Sequence, residues 1–433
     1  MTALPGELLT DRYQFTMADS YLAEGTADGR VAFELFVREL PPRRGFLIAA
    51  GLAQVVELLV GLRFGDASLE YLRSSGTASD ALCERLATLR FDGDLHAVPE
   101  GTAVTAGEPL LRVEGSRLLC QLVESVLLNQ TNFQTLIATK AARLVTAADG
   151  RPVVDFGLRR AHGADAGVLA ARAAYLGGCA ATATVAAGML WGIPTAGTMA
   201  HSFVMGHDTE LAAFERLLRD QPADAVLLID TYDTVNGARV AVEAARSTGI
   251  RPRGVRIDSG DIASLSRDVR DVLDEGGLTD TTILVSGDLD EYLIAGLVGA
   301  GAPIDSFGVG TALVTSSDAP ALGGVYKLVE SEGRPVMKMS SGKATLPGRH
   351  QVFRDGGPDV IGMSDENLPG RALIEPVLIA GEPARRLPTL AESRSRAANE
   401  LAALPSRARD LMNPSPLETR LSPQASALKE LLT

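Results

Sequence analysis

The second half of the chain alternates short apolar runs with stretches of helical periodicity. The runs are PVVDFG, IPTAG, AVLLID, GVRID, TILVSGD and PIDSFGVG. Strands that alternate with helices predict an α/β fold with a parallel sheet. Leu228, Ile257 and Leu284 lie 29 and 27 residues apart, which is the length of one βα unit. Six such units favour a closed, irregular TIM-like (β/α) barrel, and a doubly wound open sheet is the alternative.

The segments that flank this region carry mixed patterns, which predict an α+β lobe. Alternation of apolar and polar residues over 31–37 predicts a half-buried strand. A long helix is expected at about residues 117–146, where it bridges two lobes. Near the C-terminus, Thr389 and Glu392 have the spacing of a capping box, so a helix is expected to begin there.

Together these patterns divide the chain into three segments. Residues 1–130 are predicted to form an N-terminal α+β domain with the linking helix, and residues 131–333 the barrel. Residues 334–433 are expected to pack on the N-terminal lobe. Within this last segment, residues 336–357 predict a Lys-rich β-hairpin whose basic side chains form a solvated face.

Composition narrows the classes of ligand and partner. The chain has 433 residues, a formal net charge of -13 and a pI near 5.0. This charge disfavours broad contact with nucleic acid or an anionic membrane, so a small ligand is expected. The three cysteines have irregular spacings that fit neither a disulfide framework nor a zinc site, which predicts a reducing, cytoplasmic location.

One uncharged segment, residues 173–193, is long enough to span a bilayer. It consists mostly of Ala, Gly and Thr, so membrane insertion would gain little free energy, and we expect a buried helix of small residues. The N-terminus, MTALPGELLTDRYQF, lacks the basic start and apolar run of a secretory signal. A membrane partner is therefore not expected.

Polar residues follow the predicted strands of the second half. The carboxyl ends of parallel strands meet at one edge of a barrel or of an open sheet, where ligands bind. The pairs at these ends are Asp155 with Arg159, Thr198 with His201, Asp230 with Asp233, Arg256 with Asp258, Ser286 with Asp288, and Gly308 with Thr311. Six pairs at one edge predict a binding site.

Several of these strand ends suit a phosphate group. The turns at residues 286–288 and 308–311 let backbone amides approach an anion, although glycine after a strand is more often only a tight turn. His201 is expected to begin a helix after a strand at IPTAG, and the positive end of that helix would favour a phosphoryl group. The alternative is a core histidine bonded to a backbone carbonyl.

Other strand ends suit an aromatic or sugar ligand. Arg256 and Asp258 are two residues apart, so both side chains should leave the same face of their strand. The guanidinium can hold a carboxylate or phosphate with two hydrogen bonds, and the carboxylate can accept from ribose hydroxyls or bind magnesium through water. Phe156 precedes Arg159, so a flat anionic ring could stack on the first and pair with the second. Asp261 can be a simple helix cap.

Six stretches of the chain resemble the nicotinate phosphoribosyltransferase family in the family's own order. They are LLTDRYQFTMA, DFGLRRAHG, GTMAHSFVMGH, LLIDTYDT, VRIDSGD and GVGTALVTSSDAPALGGVYKL. The resemblance covers nearly the whole chain and implies the fold of type II phosphoribosyltransferases, in which N- and C-terminal segments build an α+β lobe beside the TIM-like barrel. It also implies a role in NAD salvage, in which nicotinate and phosphoribosyl pyrophosphate give nicotinate mononucleotide and pyrophosphate.

The resemblance also implies roles for the catalytic residues. His201 would be a phosphohistidine that couples ATP hydrolysis to the transfer. Arg256 would contact the nicotinate or its phosphoribosyl partner, and Asp230 and Asp258 would lie near the ribose and diphosphate. ATP is the expected co-substrate and Mg²⁺ the expected cofactor, with no metal ligands assigned.

The substrate-binding residues follow from the same resemblance. Tyr13 and Phe156 would sandwich the pyridine ring, and Tyr13 would reach in from the second subunit of a homodimer with shared active sites. The remaining predicted contacts are Arg159, Thr198, Ser259, Gly260, Ser286, Gly287, Gly308, Gly310 and Thr311.

Ala183 bears on the choice of pyridine. Related enzymes that use nicotinamide carry an Asp in the segment that matches residues 181–185, and an Asp there would repel the carboxylate of nicotinate. The alternatives are a nicotinamide or quinolinate phosphoribosyltransferase, or a catalytically inactive ligand-binding barrel. The presence of His201, Arg256 and Asp258 argues against an inactive protein.

Overall fold

The computed structural model describes residues 6–339 and 345–433. The chain divides into two compact units, Met1–Leu136 with Ala321–Thr433 (the first unit) and Ile137–Pro320 (the second unit). The sequence pattern places the domain boundaries at residues 130 and 333, whereas this division falls at 136 and 320. Among the described residues, no helix is both long and apolar enough to cross a membrane.

The first described element in the N-terminal part of the first unit is a 3-10 helix at Gly6–Leu8. Its described strands are β1 (Arg30–Val37), β2 (Leu47–Ile48), β3 (Asp94–Ala97), β4 (Ala103–Val104) and β5 (Pro109–Ser116). Its helices are α1 (Arg12–Ala23), α2 (Leu52–Val60), α3 (Asp66–Ser74), α4 (Asp80–Thr88) and α5 (Arg117–Leu122). Ser79 and Ser116 cap α4 and α5 by accepting hydrogen bonds from backbone amides in the first turn, which satisfies donors that a helix leaves unpaired.

Helix α6 (Glu124–Ala148) has 25 residues and crosses from the first unit into the second. The prediction of one helix over residues 117–146 is wrong in one respect, because Val123 separates α5 from α6. Buried Leu118 and Leu127 continue the apolar face on both sides of this break. Hydrophobic periodicity therefore could not reveal it.

The second unit alternates strands and helices. Its strands are β6 (Val153–Asp155), β7 (Ala181–Thr182), β8 (Val226–Leu228), β9 (Gly254–Ile257), β10 (Thr282–Val285) and β11 (Ser306–Val309). Its helices are α7 (Ala164–Leu176), α8 (Val185–Trp191), α9 (His201–Met205), α10 (Glu210–Asp220), α11 (Thr234–Thr248), α12 (Ile262–Glu275), α13 (Glu291–Gly299) and α14 (Thr311–Val314). A 3-10 helix at Leu158–Arg160 follows β6.

These six strands form one parallel sheet in the order β7-β6-β11-β10-β9-β8, which confirms the predicted α/β fold. Within the part of the chain that the structure describes, these strands do not close into a barrel. The predicted strand at IPTAG is reduced to an isolated parallel bridge between Thr182 and Thr195, and Pro194 in this segment has no N–H to donate to a ladder. The sheet is consequently open between this bridge and β8.

The uncharged segment at residues 173–193 is not the single buried helix that composition predicts. It contains the end of α7, then β7 and then α8. Gly178 adopts a left-handed φ of 118° just after α7, a conformation that ends a helix. Val185 and Met189 on α8 are 74% and 80% exposed, so this part of the segment is not core.

The C-terminal part returns to the first unit. Its described strands are β12 (Gly324–Ser331), β13 (Arg334–Pro335), β14 (His350–Arg354), β15 (Asp359–Met363), β16 (Arg371–Ala372), β17 (Glu375–Ile379), β18 (Glu382–Pro383) and β19 (Thr419–Leu421). Its helices are α15 (Leu390–Ala403), α16 (Ser406–Arg409) and α17 (Pro423–Leu432). The predicted capping box at Thr389 and Glu392 is confirmed. Within the predicted hairpin at 336–357, residues 340–344 lie outside the described residues, and β14 pairs with β15 and β16.

N- and C-terminal strands combine in a seven-stranded sheet of order β13-β12-β1-β5-β3-β17-β18, as the predicted α+β lobe requires. Strand β1 lies inside this sheet and is buried on both faces, so the prediction of a half-buried strand is wrong. Glu34 causes the difference, because this buried carboxylate accepts hydrogen bonds from the backbone N–H and the Nδ1 of His350 at 2.7 and 2.8 Å. From sequence alone, a polar residue that is buried against polar partners cannot be distinguished from one that faces solvent.

Candidate active site

Arg256 joins three of the predicted strand ends in the second unit. It lies at the end of β9, and only 9% of its surface is exposed. Its Nη2 donates to Oδ1 of Asp258 at 2.5 Å, its Nε to Oγ of Ser286 at 2.7 Å, and its Nη1 to Oγ1 of Thr198 at 3.0 Å. The guanidinium carbon also lies 5.5 Å from the ring centroid of Phe156, within range of a cation–π contact.

Asp258 is held in its charged form by these contacts. Burial raises the pKa of Asp258, but hydrogen bonds from Ser286 and Arg256 outweigh that effect and bring the pKa below its ordinary value. The prediction that Arg256 and Asp258 share a strand face is confirmed by their direct contact. The site therefore presents a fixed cation and a fixed anion side by side.

Asp230 connects this cluster to His201. Its Oδ2 accepts from the backbone N–H of Asp258 at 3.0 Å and from Oγ of Ser259 at 2.7 Å. Its Oδ1 is buried and has no hydrogen-bond partner among the described residues. Nε2 of His201 lies 3.9 Å from this oxygen and 3.9 Å from Oδ2 of Asp258. The histidine thus faces two carboxylates.

The histidine geometry also distinguishes the two histidines of this segment. His201 begins α9, as predicted, and its Nδ1 lies 3.2 Å from Oγ1 of Thr231. Its side chain is 40% exposed. His207 instead has its Nδ1 2.7 Å from the carbonyl of Phe203. The alternative from the sequence, a histidine bonded to a backbone carbonyl, describes His207 and not His201.

Two of the predicted glycines are required by close approach of neighbouring atoms. Gly287 has a φ of 93°, and a Cβ there would lie 2.0 Å from the carbonyl oxygen of Asp258. A Cβ at Gly308 would lie 2.4 Å from the ring of Phe156. Gly308 therefore makes room for the aromatic ring. The sequence pattern assigns this glycine only to phosphate binding.

The remaining predicted residues lie at the same strand ends with fewer contacts. Gly260 follows β9, and Gly310 and Thr311 follow β11 at the start of α14. Arg159 is exposed in the 3-10 helix after β6. No described hydrogen bond or ion pair joins it to the Arg256 cluster, which consists of Arg256 and its partners Asp258, Ser286 and Thr198. Ala183 is exposed just after β7.

Asp155 has a different partner from the one that its sequence position indicates. It accepts from Oγ1 of Thr182 at 2.7 Å and from the backbone N–H of Gly157 at 2.8 Å, so it does not pair with Arg159. Burial raises the pKa of Asp155 despite these donors. Its role is to hold the end of β6 against β7. Asp233 and Asp261 are helix caps, as the simpler interpretation of Asp261 proposed.

Tyr13 belongs to the first unit. It lies on α1, is 49% exposed, and donates from its hydroxyl to Oε2 of Glu124 at 3.2 Å. Burial, followed by the nearby Glu124, raises the pKa of Tyr13 to about 12. The hydroxyl is therefore protonated at neutral pH.

The possible metal ligands at this site are carboxylate oxygens. In the described part of the chain, no group of three or more His, Cys, Asp or Glu residues could hold a metal ion. Asp230 and Asp258 offer two carboxylates, and Oδ1 of Asp230 is buried without a partner. Such a pair fits magnesium, which binds through one or two carboxylates and takes its other ligands from water and substrate phosphates.

Sequence reasoning missed a buried ion cluster near these loops. Lys140 and Arg143 on α6 are 1% and 2% exposed, and both contact Glu291 at the start of α13. Lys140 also contacts Asp318 after α14 at 2.7 Å. The available signal was a lysine and an arginine three residues apart within the apolar stretch LIATKAARLV, because buried cations of this kind require carboxylate partners.

The sequence is similar to known proteins along most of its length. A family model described as the N-terminal domain of nicotinate phosphoribosyltransferase (NAPRTase) matches residues 8–132. Nicotinate phosphoribosyltransferase pncB2 of Mycobacterium tuberculosis is 48% identical over 414 residues, which cover 94% of this chain and 89% of that protein. The nicotinate phosphoribosyltransferase of Bacillus subtilis is 44% identical over 80% of this chain and 72% of its own.

Solved structures share the fold. Human nicotinic acid phosphoribosyltransferase has a TM-score of 0.88 and 31% identity, with 98% of this chain and 100% of that chain covered. A nicotinate-nucleotide pyrophosphorylase from Pyrococcus furiosus has a TM-score of 0.76 and 26% identity, with 92% and 95% covered. Both likenesses extend over most of this chain.

Proposed function

The chain belongs to the nicotinate phosphoribosyltransferase family, and from that premise we propose that it makes nicotinate mononucleotide and pyrophosphate from nicotinate and phosphoribosyl pyrophosphate. We propose further that ATP hydrolysis drives this step in NAD salvage. The observation that supports the proposal most strongly is the Arg256 cluster beside Phe156, which places a planar cation, a carboxylate and an aromatic face at one set of strand ends.

The chemistry requires positioning and charge stabilisation more than proton transfer. The pyridine nitrogen is a free nucleophile at neutral pH, so the barrier lies in the departure of pyrophosphate from C1 of the ribose. Positive charge that develops on the sugar would be stabilised by Asp258 and Asp230, which the surrounding donors hold in place. Arg256 would offset negative charge on the ligand without moving, because its donors are already fixed by Ser286 and Thr198.

The pyridine ring would stack on Phe156, whose ring centroid lies 5.5 Å from the guanidinium carbon of Arg256 and whose edge leaves no room for a Cβ at Gly308. Arg159 would pair with the carboxylate of nicotinate from the neighbouring 3-10 helix. We propose that Tyr13 covers the other face of the ring from the second subunit of a homodimer. Its half-exposed ring on α1 is available for such a contact.

Magnesium is the proposed cofactor. When magnesium is bound together with phosphoribosyl pyrophosphate, it would neutralise negative charge on the leaving diphosphate. Asp230 and Asp258 would hold it, and the buried, unpartnered Oδ1 of Asp230 supports this assignment. Ser259 would keep the other oxygen of Asp230 occupied and so orient the carboxylate.

We propose that His201 accepts a phosphoryl group from ATP on Nε2. Thr231 occupies its other ring nitrogen, and the short helix α9 begins at this residue. A phosphoryl group on Nε2 would lie beside Asp230 and Asp258, so its charge would need the proposed magnesium or Arg256 to offset it. Attack of water on the phosphohistidine would release inorganic phosphate, restore the free imidazole and so change the local charge as the product leaves.

The open sheet of the second unit is proposed to be part of an incomplete TIM-like barrel. The strands follow one another in the order β8, β9, β10, β11, and the series continues through β6 and β7 to the bridge at Thr195. This consecutive order would bring all six strand ends to one rim.

A product assay tests the proposed function. Purified protein is supplied with phosphoribosyl pyrophosphate, Mg²⁺ and nicotinate, nicotinamide or quinolinate, each with and without ATP. We expect nucleotide and pyrophosphate in equal amounts with nicotinate, at a rate that ATP increases. Preferential use of nicotinamide or quinolinate would contradict the proposed substrate, and no turnover of any base would contradict the proposed activity.

A further inference from the structure

Two loops in the second unit carry residues that the sequence predicts to approach a phosphate group, which in the proposed reaction would belong to the sugar donor. One loop joins β10 to α13 and contains Ser286 and Gly287. The other follows β11 and contains Gly310, and Thr311 begins α14 directly after it. Each of these loops is followed by a carboxylate, Glu291 in the first turn of α13 and Asp318 shortly after α14. Both carboxylates contact the same ammonium group.

That ammonium group belongs to Lys140 on α6. Its Nζ donates to Oε2 of Glu291 at 2.5 Å and to Oδ1 of Asp318 at 2.7 Å, and its side chain is 1% exposed. Nε of Arg143 donates to the other oxygen of Glu291 at 2.9 Å. Burial raises the pKa of Glu291, but Lys140 and Arg143 together lower it below its ordinary value. Glu291 is therefore ionised at neutral pH.

The first loop is too short to move independently of Glu291. Only residues 286–290 separate β10 from α13. Asp290 caps α13 by accepting from the backbone N–H of Tyr292 and Leu293 at 3.0 and 2.8 Å. Gly287 and Asp288 have left-handed φ values of 93° and 43°, so the backbone has few alternative paths. A shift of the first turn of α13 would displace Ser286 and Gly287.

The second loop is tied in a similar way. The backbone N–H of Val314 donates to the carbonyl of Gly310 at 3.1 Å, and the N–H of Ser317 donates to the carbonyl of Ala312 at 3.3 Å. The next residue is Asp318. Displacement of Asp318 would therefore be transmitted through this compact turn to the backbone at Gly310.

We propose that Lys140 is a positioning residue that fixes the two phosphate-binding loops relative to each other, and that it thereby sets the affinity for the phosphoribosyl donor. The inference rests on the proposed function, since phosphoribosyl pyrophosphate is the phosphate-bearing substrate that the two predicted phosphate-binding turns would hold. Lys140 touches no substrate. It acts because a buried ion pair with good geometry holds its partners in one arrangement and is costly to break.

The test compares binding of phosphoribosyl pyrophosphate and of nicotinate. Lys140→Met removes the charge at similar length, and Asp318→Asn removes one of the two carboxylates. The side chain of Asp318 is 28% exposed, so this variant should fold even if Lys140→Met does not. We expect each change to weaken phosphoribosyl pyrophosphate binding, measured by calorimetry, on the order of 3- to 30-fold. The KM for nicotinate should stay within about twofold, and Lys140→Arg should recover part of the loss.

The double variant and a matched control separate this role from a purely structural one. If Lys140 links the loops, the combined Lys140→Met and Asp318→Asn variant should bind no more weakly than the poorer single variant. Arg270→Met is the control, because this part-buried arginine contacts Asp274, Leu278 and Thr281 ahead of β10. It should lower the melting temperature and leave phosphoribosyl pyrophosphate binding unchanged.

Two results would overturn the inference. One is donor binding within twofold of wild type in both single variants, whatever their melting temperatures. The other is fully multiplicative losses in the double variant. Wild-type protein that binds phosphoribosyl pyrophosphate but forms no nicotinate mononucleotide would instead contradict the proposed function, and the calorimetric comparison would still decide the role of Lys140.

Discussion

At the scale of single residues, the candidate site depends on how completely Arg256 is surrounded by fixed partners. Three side chains from three different loops occupy its donors, and its guanidinium carbon lies 5.5 Å from the ring centroid of Phe156. A guanidinium held in this way needs little reorganisation when a ligand's charge changes during reaction. Lysine could not reproduce the arrangement, because it offers a single point charge without a planar set of donors.

His201 provides a prediction at this scale. If it carries a phosphoryl group from γ-labelled ATP, an acid-labile and base-stable label should appear on the wild type and be absent from His201→Ala. ATP stimulation of nucleotide synthesis should be lost as well. His207→Ala is the matched control, because its ring is bonded to a backbone carbonyl and should not accept the group. Label that persists on His201→Ala would show that another residue is phosphorylated.

Part of the site could be read from residue spacing, and part could not. The contact between Arg256 and Asp258 follows from the two-residue period of a strand. The partner of Asp155 does not, since Thr182 lies 27 residues away and only the pairing of β6 with β7 brings the two together. Gly308 was assigned to phosphate binding because sequence cannot show that an aromatic ring covers it.

At the scale of elements, strand β11 packs closely against Phe156 near its carboxyl end. We predict that Gly308→Ala pushes the ring aside, because the added Cβ would lie 2.4 Å from it. The KM for nicotinate should rise about tenfold, corresponding to roughly 1.4 kcal/mol of lost stacking. The KM for ATP should change little. Steady-state kinetics with each substrate varied in turn would measure both.

Gly296→Ala on α13 is the matched control, because nothing lies within 4 Å of a Cβ at that position. It should leave both KM values unchanged and stabilise the helix by about 0.5–1 kcal/mol. Unchanged nicotinate kinetics in Gly308→Ala would mean that the ring of Phe156 is not part of the pyridine site.

The start of α13 gives a prediction about pH. The pKa of Glu291 is lowered in the folded protein, because Lys140 and Arg143 outweigh the effect of burial. A lowered carboxylate pKa contributes stability above the unfolded value of about 4.3 and loses it as pH falls through the folded value. Glu291→Gln should therefore cost about 3–5 kcal/mol at pH 7, and the difference from wild type should shrink below about pH 4.

Urea unfolding followed by fluorescence of Trp191, the single tryptophan of the chain, reports on this unit. Asp274→Asn, which removes the half-exposed carboxylate that pairs with the part-buried Arg270, is the control and should change stability by less than about 1 kcal/mol at either pH. A stability difference for Glu291→Gln that is independent of pH would contradict the ionised cluster.

Elements were predictable where their burial is uniform. Five of the six apolar runs form strands of the parallel sheet, because each is short, apolar and followed by a helix. Prediction failed where an element depends on its neighbours. IPTAG forms only a bridge at Thr195, and residues 173–193 break into three elements. Burial of Glu34 in β1 likewise required knowledge of His350, which is distant in sequence.

At the scale of the whole molecule, the proposed homodimer makes a prediction about subunit mixing. Tyr13→Ala alters the first unit and Arg256→Ala the second, so each homodimer should be inactive. After subunit exchange, half of the dimers are mixed, and each mixed dimer contains one intact shared site. Activity should therefore recover to about a quarter of wild type.

The control mixes Arg256→Ala with Asp258→Ala. Both residues belong to the second unit, so every site in the mixture lacks one of them and no activity should return. Absence of recovery in the first mixture, with subunit exchange verified by differential tags, would mean that Tyr13 does not serve the partner's site.

The central claim is that the Arg256 cluster is the site of phosphoribosyl transfer to nicotinate. The most direct measurement is kcat/KM for conversion of labelled nicotinate to its mononucleotide by Arg256→Lys. Arg267→Lys is compared with it, because this exposed arginine on α12 bonds only to backbone carbonyls among the contacts described. We predict a loss of about 10²-fold or more for Arg256→Lys and no more than about twofold for Arg267→Lys. Equal activity in the two variants would contradict the account.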